Sequence, residues 1–73
     1  MAVIPIETAK DLAEVIRKRR LELKIQQGEL AEITGIPQSN LSRIERGQIS
    51  ATLETYLKIM SALGIDLIAE TRE

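Results

Sequence analysis

The stretch Gln27-Gly28-Glu29-Leu30-Ala31-Glu32-Ile33-Thr34-Gly35-Ile36-Pro37-Gln38-Ser39-Asn40-Leu41-Ser42-Arg43-Ile44-Glu45-Arg46-Gly47 sets a small residue, a turn residue and two apolar anchors in a fixed order. Ala31 allows a second helix to cross close to the first. Gly35 can take the positive φ of a sharp turn, and Leu41 and Ile44 share one inward face of the helix that follows. The order encodes two short helices joined by a tight bend, a helix-turn-helix. Double-stranded DNA is the leading candidate partner for such a unit, because its second helix can enter a major groove.

Outward from this pair the chain reads as four to five helices and a short strand. Helix one opens at Thr8, whose hydroxyl caps the first turn while Asp11 reaches back to complete a capping box, and Leu12, Val15, Ile16 and Leu23 mark its buried side. Helix two runs from Gln27 to Thr34, with Leu30, Ala31 and Ile33 assigned inward and Gly35 as its stop. Gln26 stands at its cap and Gly28 in its first turn, so this helix should begin less firmly than one capped by Ser or Thr. Pro37 suits the first turn of helix three, which continues to Glu45 before Gly47 ends it. Thr52 caps helix four, where Leu53, Tyr56, Leu57, Ile59, Met60 and Leu63 form a broader apolar surface than one small core requires, and Gly64 closes it.

Beyond Gly64 the period changes: Ile65, Leu67 and Ala69 alternate with Asp66, Ile68 and Glu70, the pattern of a strand. A lone strand leaves its backbone groups unpaired. It must join the segment Ala2 to Ile6, the same strand of a second chain, or another protein. Pro5 interrupts the first option, so antiparallel pairing with a two-fold mate is favoured over pairing within the chain and over a frayed tail.

Composition limits the chemistry. Seventy-three residues make one domain with a small core, and cysteine and histidine are both absent, which removes disulfides, the usual zinc sites and His-based nucleophile arrangements. Extra burial is then expected from association between chains. No pair of groups forms an acid-base constellation, so enzymatic activity is not expected, nor is a cofactor or a metal. No leader of signal-peptide type and no bilayer-length apolar run is present, so a soluble cytoplasmic protein without membrane contact is expected. The net charge of −1 does not describe gross basicity, but six of the ten cations lie between Lys10 and Lys24, including Arg17-Lys18-Arg19-Arg20, whereas acidic residues dominate after Ser50. Four consecutive charges fan around a helix and cannot all address one ligand.

The segment Ile16 to Gly64 resembles the Cro/C1 (xenobiotic-response-element) family of phage-repressor regulators. The resemblance rests on Gln27-Gly28-Glu29-Leu30-Ala31, Thr34-Gly35-Ile36, Leu41-Ser42-Arg43-Ile44-Glu45-Arg46-Gly47 and Leu53-Glu54-Thr55. The short length and the run from helix four into Gly64-Ile65-Asp66-Leu67 look most like the antitoxins of HipA/HipB-type toxin-antitoxin modules. The resemblance implies an all-α, compact phage-repressor-like fold with a short C-terminal β-strand: residues 1–73 as one helix-turn-helix domain, 8–64 as its helical core and 65–71 as a dimerisation strand.

It also implies roles for individual residues. Gln38, Ser39, Ser42 and Arg43 match the family's base readers, Arg43 having a phosphate as its alternative target. Gln27 matches a phosphate-holding glutamine beside a helix N-terminus, and Asn40 and Arg46 are expected to touch phosphates from the flanks. Arg20 and Glu45 match a largely buried ion pair joining helices one and three. Tyr56 reads as packing or a dimer contact rather than a platform for bases. The expected function is a homodimeric, sequence-specific transcriptional repressor on a pseudo-palindromic operator, the antitoxin of a module that regulates its own operon and binds a cognate toxin. The alternatives are a free-standing small phage-type repressor and a protein-interaction adaptor without DNA binding.

Overall fold

The protein is described here by a computed structural model covering residues 3–73; Met1 and Ala2 lie outside the described residues. Four helices follow in order: α1 (Ala9–Glu22), α2 (Gln27–Thr34), α3 (Gln38–Glu45) and α4 (Leu53–Ala62). No fifth helix forms among the described residues. The capping box of α1 is present, with the Thr8 hydroxyl accepting the Asp11 N–H at 3.1 Å and the Asp11 carboxylate accepting the Thr8 N–H at 3.1 Å. At α2 the Glu29 carboxylate accepts the Gln26 N–H at 3.1 Å, which supplies one half of a capping box where the cap residue is unfavourable. Pro37 is the N-cap of α3 rather than its first turn. With φ −54° and ψ 137° it is extended, and its carbonyl accepts from both Asn40 and Leu41 at 3.0 Å.

The core joins all four helices through Ile16, Leu30, Leu41, Ile44, Tyr56, Ile59, Met60 and Leu63, with Leu12, Ile25, Ala31, Ile36 and Ile65 packed at its edge. Each large side chain removed from water here contributes about 1.5–3 kcal/mol, which is how eight-residue helices too short to persist alone are held in place. The Tyr56 hydroxyl accepts the Ala51 N–H at 3.2 Å, so this ring is core and loop fastening at once.

Several apolar positions depart from the periodic reading. Leu23 is 40% exposed because it lies past the end of α1, as its C-cap. Ile33 is 63% exposed and faces away from the core, since Leu30 and Thr34 already fill the inward side of so short a helix. Leu53 and Leu57 are also exposed, which leaves part of the broad apolar surface of α4 uncovered. The expected strand at 65–71 does not form, and residues 65–73 carry no regular structure. The physical reason is pairing: the described part of the N-terminal segment, from Val3 onward, is not laddered to it, and a strand without a neighbour has no hydrogen bonds to define it.

Candidate nucleic-acid interface

The bend between α2 and α3 is made by Gly35, whose φ of 75° lies in the left-handed region and whose N–H returns to the Ala31 carbonyl at 2.8 Å. No heavy atom lies within 4 Å of the position a Cβ would take, so backbone conformation and not space calls for glycine here. Buried Thr34 reinforces the bend in a way the sequence reading missed. Its hydroxyl donates to the Leu30 carbonyl at 2.7 Å and accepts the Ile36 N–H at 3.3 Å. A threonine directly before a helix-ending glycine is the local signal that pointed to it.

On α3, Leu41, Ile44 and Glu45 are buried, whereas Gln38, Ser39, Asn40, Arg43 and Arg46 are exposed and Ser42 is half-buried. At about 100° per residue, Gln38, Ser42, Arg46, Ser39 and Arg43 fall in that angular order within an arc of about 140° opposite the core. Asn40 lies outside this arc, on the flank, where it lines a shallow groove with Gly35, Pro37, Ile49 and Thr55. Gln27 is brought to the same place from the first turn of α2: its side-chain oxygen accepts from the Gln38 amide at 3.5 Å. Gly28 lies beside this contact, with its Cβ position 3.5 Å from Gln38 Oε1. Arg46 folds back, its Nε donating to the Ser42 carbonyl at 3.2 Å, and this holds the guanidinium along the end of the helix.

The orientation of α3 is locked from beneath. Arg20 donates through Nε and Nη2 to the two Glu45 carboxylate oxygens, both at 2.9 Å, and through Nη1 to the Ile25 carbonyl at 2.9 Å. One guanidinium thus joins α1, the loop entering α2, and α3. The basic run disperses as helix geometry requires: Arg17 and Lys18 are exposed, Arg19 donates to the Leu63 carbonyl at 3.0 Å, and Arg20 is committed to Glu45. Among the described residues no cluster of His, Cys, Asp and Glu is arranged to hold a metal, and no helix is long and apolar enough to cross a membrane.

Two short helices crossing at a left-handed glycine, the second held by a buried ion pair and showing a polar arc to solvent, constitute a helix-turn-helix unit. The helix-turn-helix family model matches residues 16–68, and the chain belongs to that family. It is 40% identical over 53 residues to an uncharacterized HTH-type transcriptional regulator of Haemophilus influenzae. That match covers 73% of this chain and 53% of the relative, so the chain spans about half the length of the curated protein it resembles. Among solved structures it is similar to HipB in a complex with an O2 20mer, with TM-score 0.86 and 26% identity over 99% of this chain and all of that one. It is likewise similar to a chain of the HipA-HipB-O2-O3 complex, with TM-score 0.85 and 27% identity over 97% of this chain and all of that one.

Proposed function

We propose that this chain is a sequence-specific DNA-binding transcriptional repressor that works as a homodimer and serves as the antitoxin of a toxin-antitoxin module, controlling its own operon. The observation that carries the reading is the solvent-facing arc of α3, where Gln38 and Arg43 stand clear of the core while Leu41, Ile44 and Glu45 fix the helix below them. A glutamine amide donates to and accepts from adenine N6 and N7 together, and an arginine fork matches guanine O6 and N7; each such pair discriminates by about 1–3 kcal/mol. Ser39 and Ser42 add shorter, less selective bonds. Gln27, Asn40 and Arg46 hold phosphates around them, with the N-terminus of α2 adding its positive end. Gln27 and Gln38 come within 3.5 Å of each other, so the two amides address the same stretch of duplex.

A second copy supplies the other half-site, placing two α3 helices in major grooves about 34 Å apart. Residues 65–71 pair antiparallel with their counterparts in the mate, and the uncovered Leu53 and Leu57 are further candidates for burial there. The antitoxin part of the reading is supported by the likeness to a HipA-HipB complex. The test is an electrophoretic shift titration on DNA from upstream of the protein's own reading frame, using wild type and Gln38→Ala. Wild type is expected to give a discrete shift, and the variant to lose roughly 5- to 150-fold of its preference at one base pair of each half-site. A wild-type chain that shifts no duplex even at low salt overturns the DNA reading. Failure of the adjacent frame's product to co-purify removes the toxin partner and leaves the repressor.

A further inference from the structure

Besides Arg20, a second member of the basic run is engaged by the molecule's own backbone. The Arg19 Nε–H donates to the Leu63 carbonyl at 3.0 Å, and Leu63 is the C-cap of α4, where terminal carbonyls carry the negative end of a helix and lack partners within it. Gly64 follows with φ 67°, and the Ile65 N–H returns to the Met60 carbonyl at 2.9 Å, closing the helix end. A Cβ on Gly64 would stand 3.6 Å from an Arg19 Nη, so the guanidinium lies against the very turn from which the C-terminal segment departs. Ile65 packs on the core, whereas Leu67 and Ile68 beyond it are 54% and 75% exposed. Glu22, one turn further along α1, places a carboxylate oxygen 3.9 Å from Arg19 Nη1 at the surface.

We infer that Arg19 is a positioning residue for subunit association: by gripping the end of α4 it sets the direction in which residues 65–71 leave the core and presents Leu67 and Ile68 to a second copy of the chain. The inference rests on the dimer reading above. A charged donor on a terminal carbonyl acts both as a strong hydrogen bond and as a countercharge to the helix. The Arg19 side chain is 41% exposed, so its effect falls on the orientation of the departing segment more than on the monomer's fold.

The test uses the full chain as wild type, Arg19→Ala and, as a charge-loss control on the same helix, Lys18→Ala. Sedimentation equilibrium gives the dimer dissociation constant, and amide NMR shows which residues respond. Arg19→Ala is expected to raise that constant about tenfold, with amide shifts confined to Gly64–Glu73 and the neighbourhood of the substitution, while Lys18→Ala leaves it unchanged. An Arg19→Ala chain that dimerises like wild type overturns the inference and leaves the dimer reading standing. Shifts spread through α2 and α3 with a matching fall in thermal stability assign Arg19 to the fold alone and overturn it as well. A wild-type chain that stays monomeric at every concentration removes the dimer reading itself, and this inference with it.

Discussion

Glu45 and Arg20 show how a single buried pair can fix the orientation of the solvent-facing arc of α3 without belonging to it. Their side chains are 2% and 11% exposed, and a buried pair of this kind is close to neutral against apolar residues of the same volume, but removing one partner strands a charge at a cost of about 3–5 kcal/mol. Small domains hold only about 0.05–0.15 kcal/mol per residue, so Glu45→Ala is expected to leave most molecules unfolded in urea titrations that wild type survives. The double change Arg20→Met with Glu45→Leu is expected to recover most of the loss; a single variant costing under about 1 kcal/mol contradicts the account. Lys24 makes the opposite case, a cost built into the native chain. Its φ of 57° is left-handed, while the Ile25 N–H reaches back to the Arg20 carbonyl at 3.1 Å to close α1. Lys24→Gly should therefore stabilise by roughly 0.5–1 kcal/mol, the relief of strain outweighing the added freedom of the unfolded chain, and Lys24→Ala should not. Equal stability of the two variants in denaturant titrations would sink that explanation. Gly35 was legible in the sequence because its residue type fits its conformation; the turn at Lys24 was not, because lysine advertises no such preference.

At the scale of elements, helix ends were legible and helix faces only partly so. Thr8 with Asp11, Thr52 and Gly35 mark their boundaries because capping chemistry is local and needs no knowledge of the rest of the fold. Ile33, Leu53 and Leu57 resist such a reading, since periodicity finds apolar residues without saying whether they meet this core or another chain. The strand at 65–71 is absent from the single chain for a related reason: alternation defines faces, but a ladder needs a second backbone. The Gln27–Gln38 contact joins residues eleven apart and is visible only once the bend has been built. The α1 cap also predicts an acid response. The Glu7 N–H, 3.0 Å from the Asp11 carboxylate, holds its pKa below the usual aspartate value, with the Thr8 N–H and hydroxyl adding to this. Because the folded-state pKa is depressed, the stabilisation is complete above the unfolded value of about 3.9 and is lost as pH falls through the folded one. Amide protection in the first turn of α1, taken against the intrinsic exchange rate at each pH, should fall on acidification through that window, ahead of α4, and Asp11→Asn should abolish the pH-dependent step. An unchanged acid profile in the variant would place the titration elsewhere.

For the molecule as a whole, a net charge of −1 supplies no overall attraction to a polyanion, so on the proposed DNA reading binding is carried by the cations that face the duplex. Arg19 and Arg20 are removed from that set by their bonds to Leu63 and Glu45. Arg43 and Arg46 remain on the solvent side of α3, and exposed Lys10 and Arg17 line a groove with Arg46 that also holds the acidic Asp11 and Glu14. With Lys24, and with Arg43 assigned to the bases, these give about four cations per protomer, or about eight per dimer, each releasing counterions from the phosphate it neutralises. Affinity for the upstream duplex is then expected to fall about 10³- to 10⁵-fold between about 50 and 200 mM salt. Arg46→Ala should lower the slope of log K against log salt by about 2 per dimer, one for each copy, and leave base preference intact, whereas Gln38→Ala should do the reverse. Fluorescence anisotropy on a labelled duplex separates the two. A slope that stays flat with salt, or that falls as much for Gln38→Ala as for Arg46→Ala, would mean that the arc of α3 does not divide the work between phosphates and bases, and the acidic half of the chain with its uncovered leucines would become the better guide to what the protein binds.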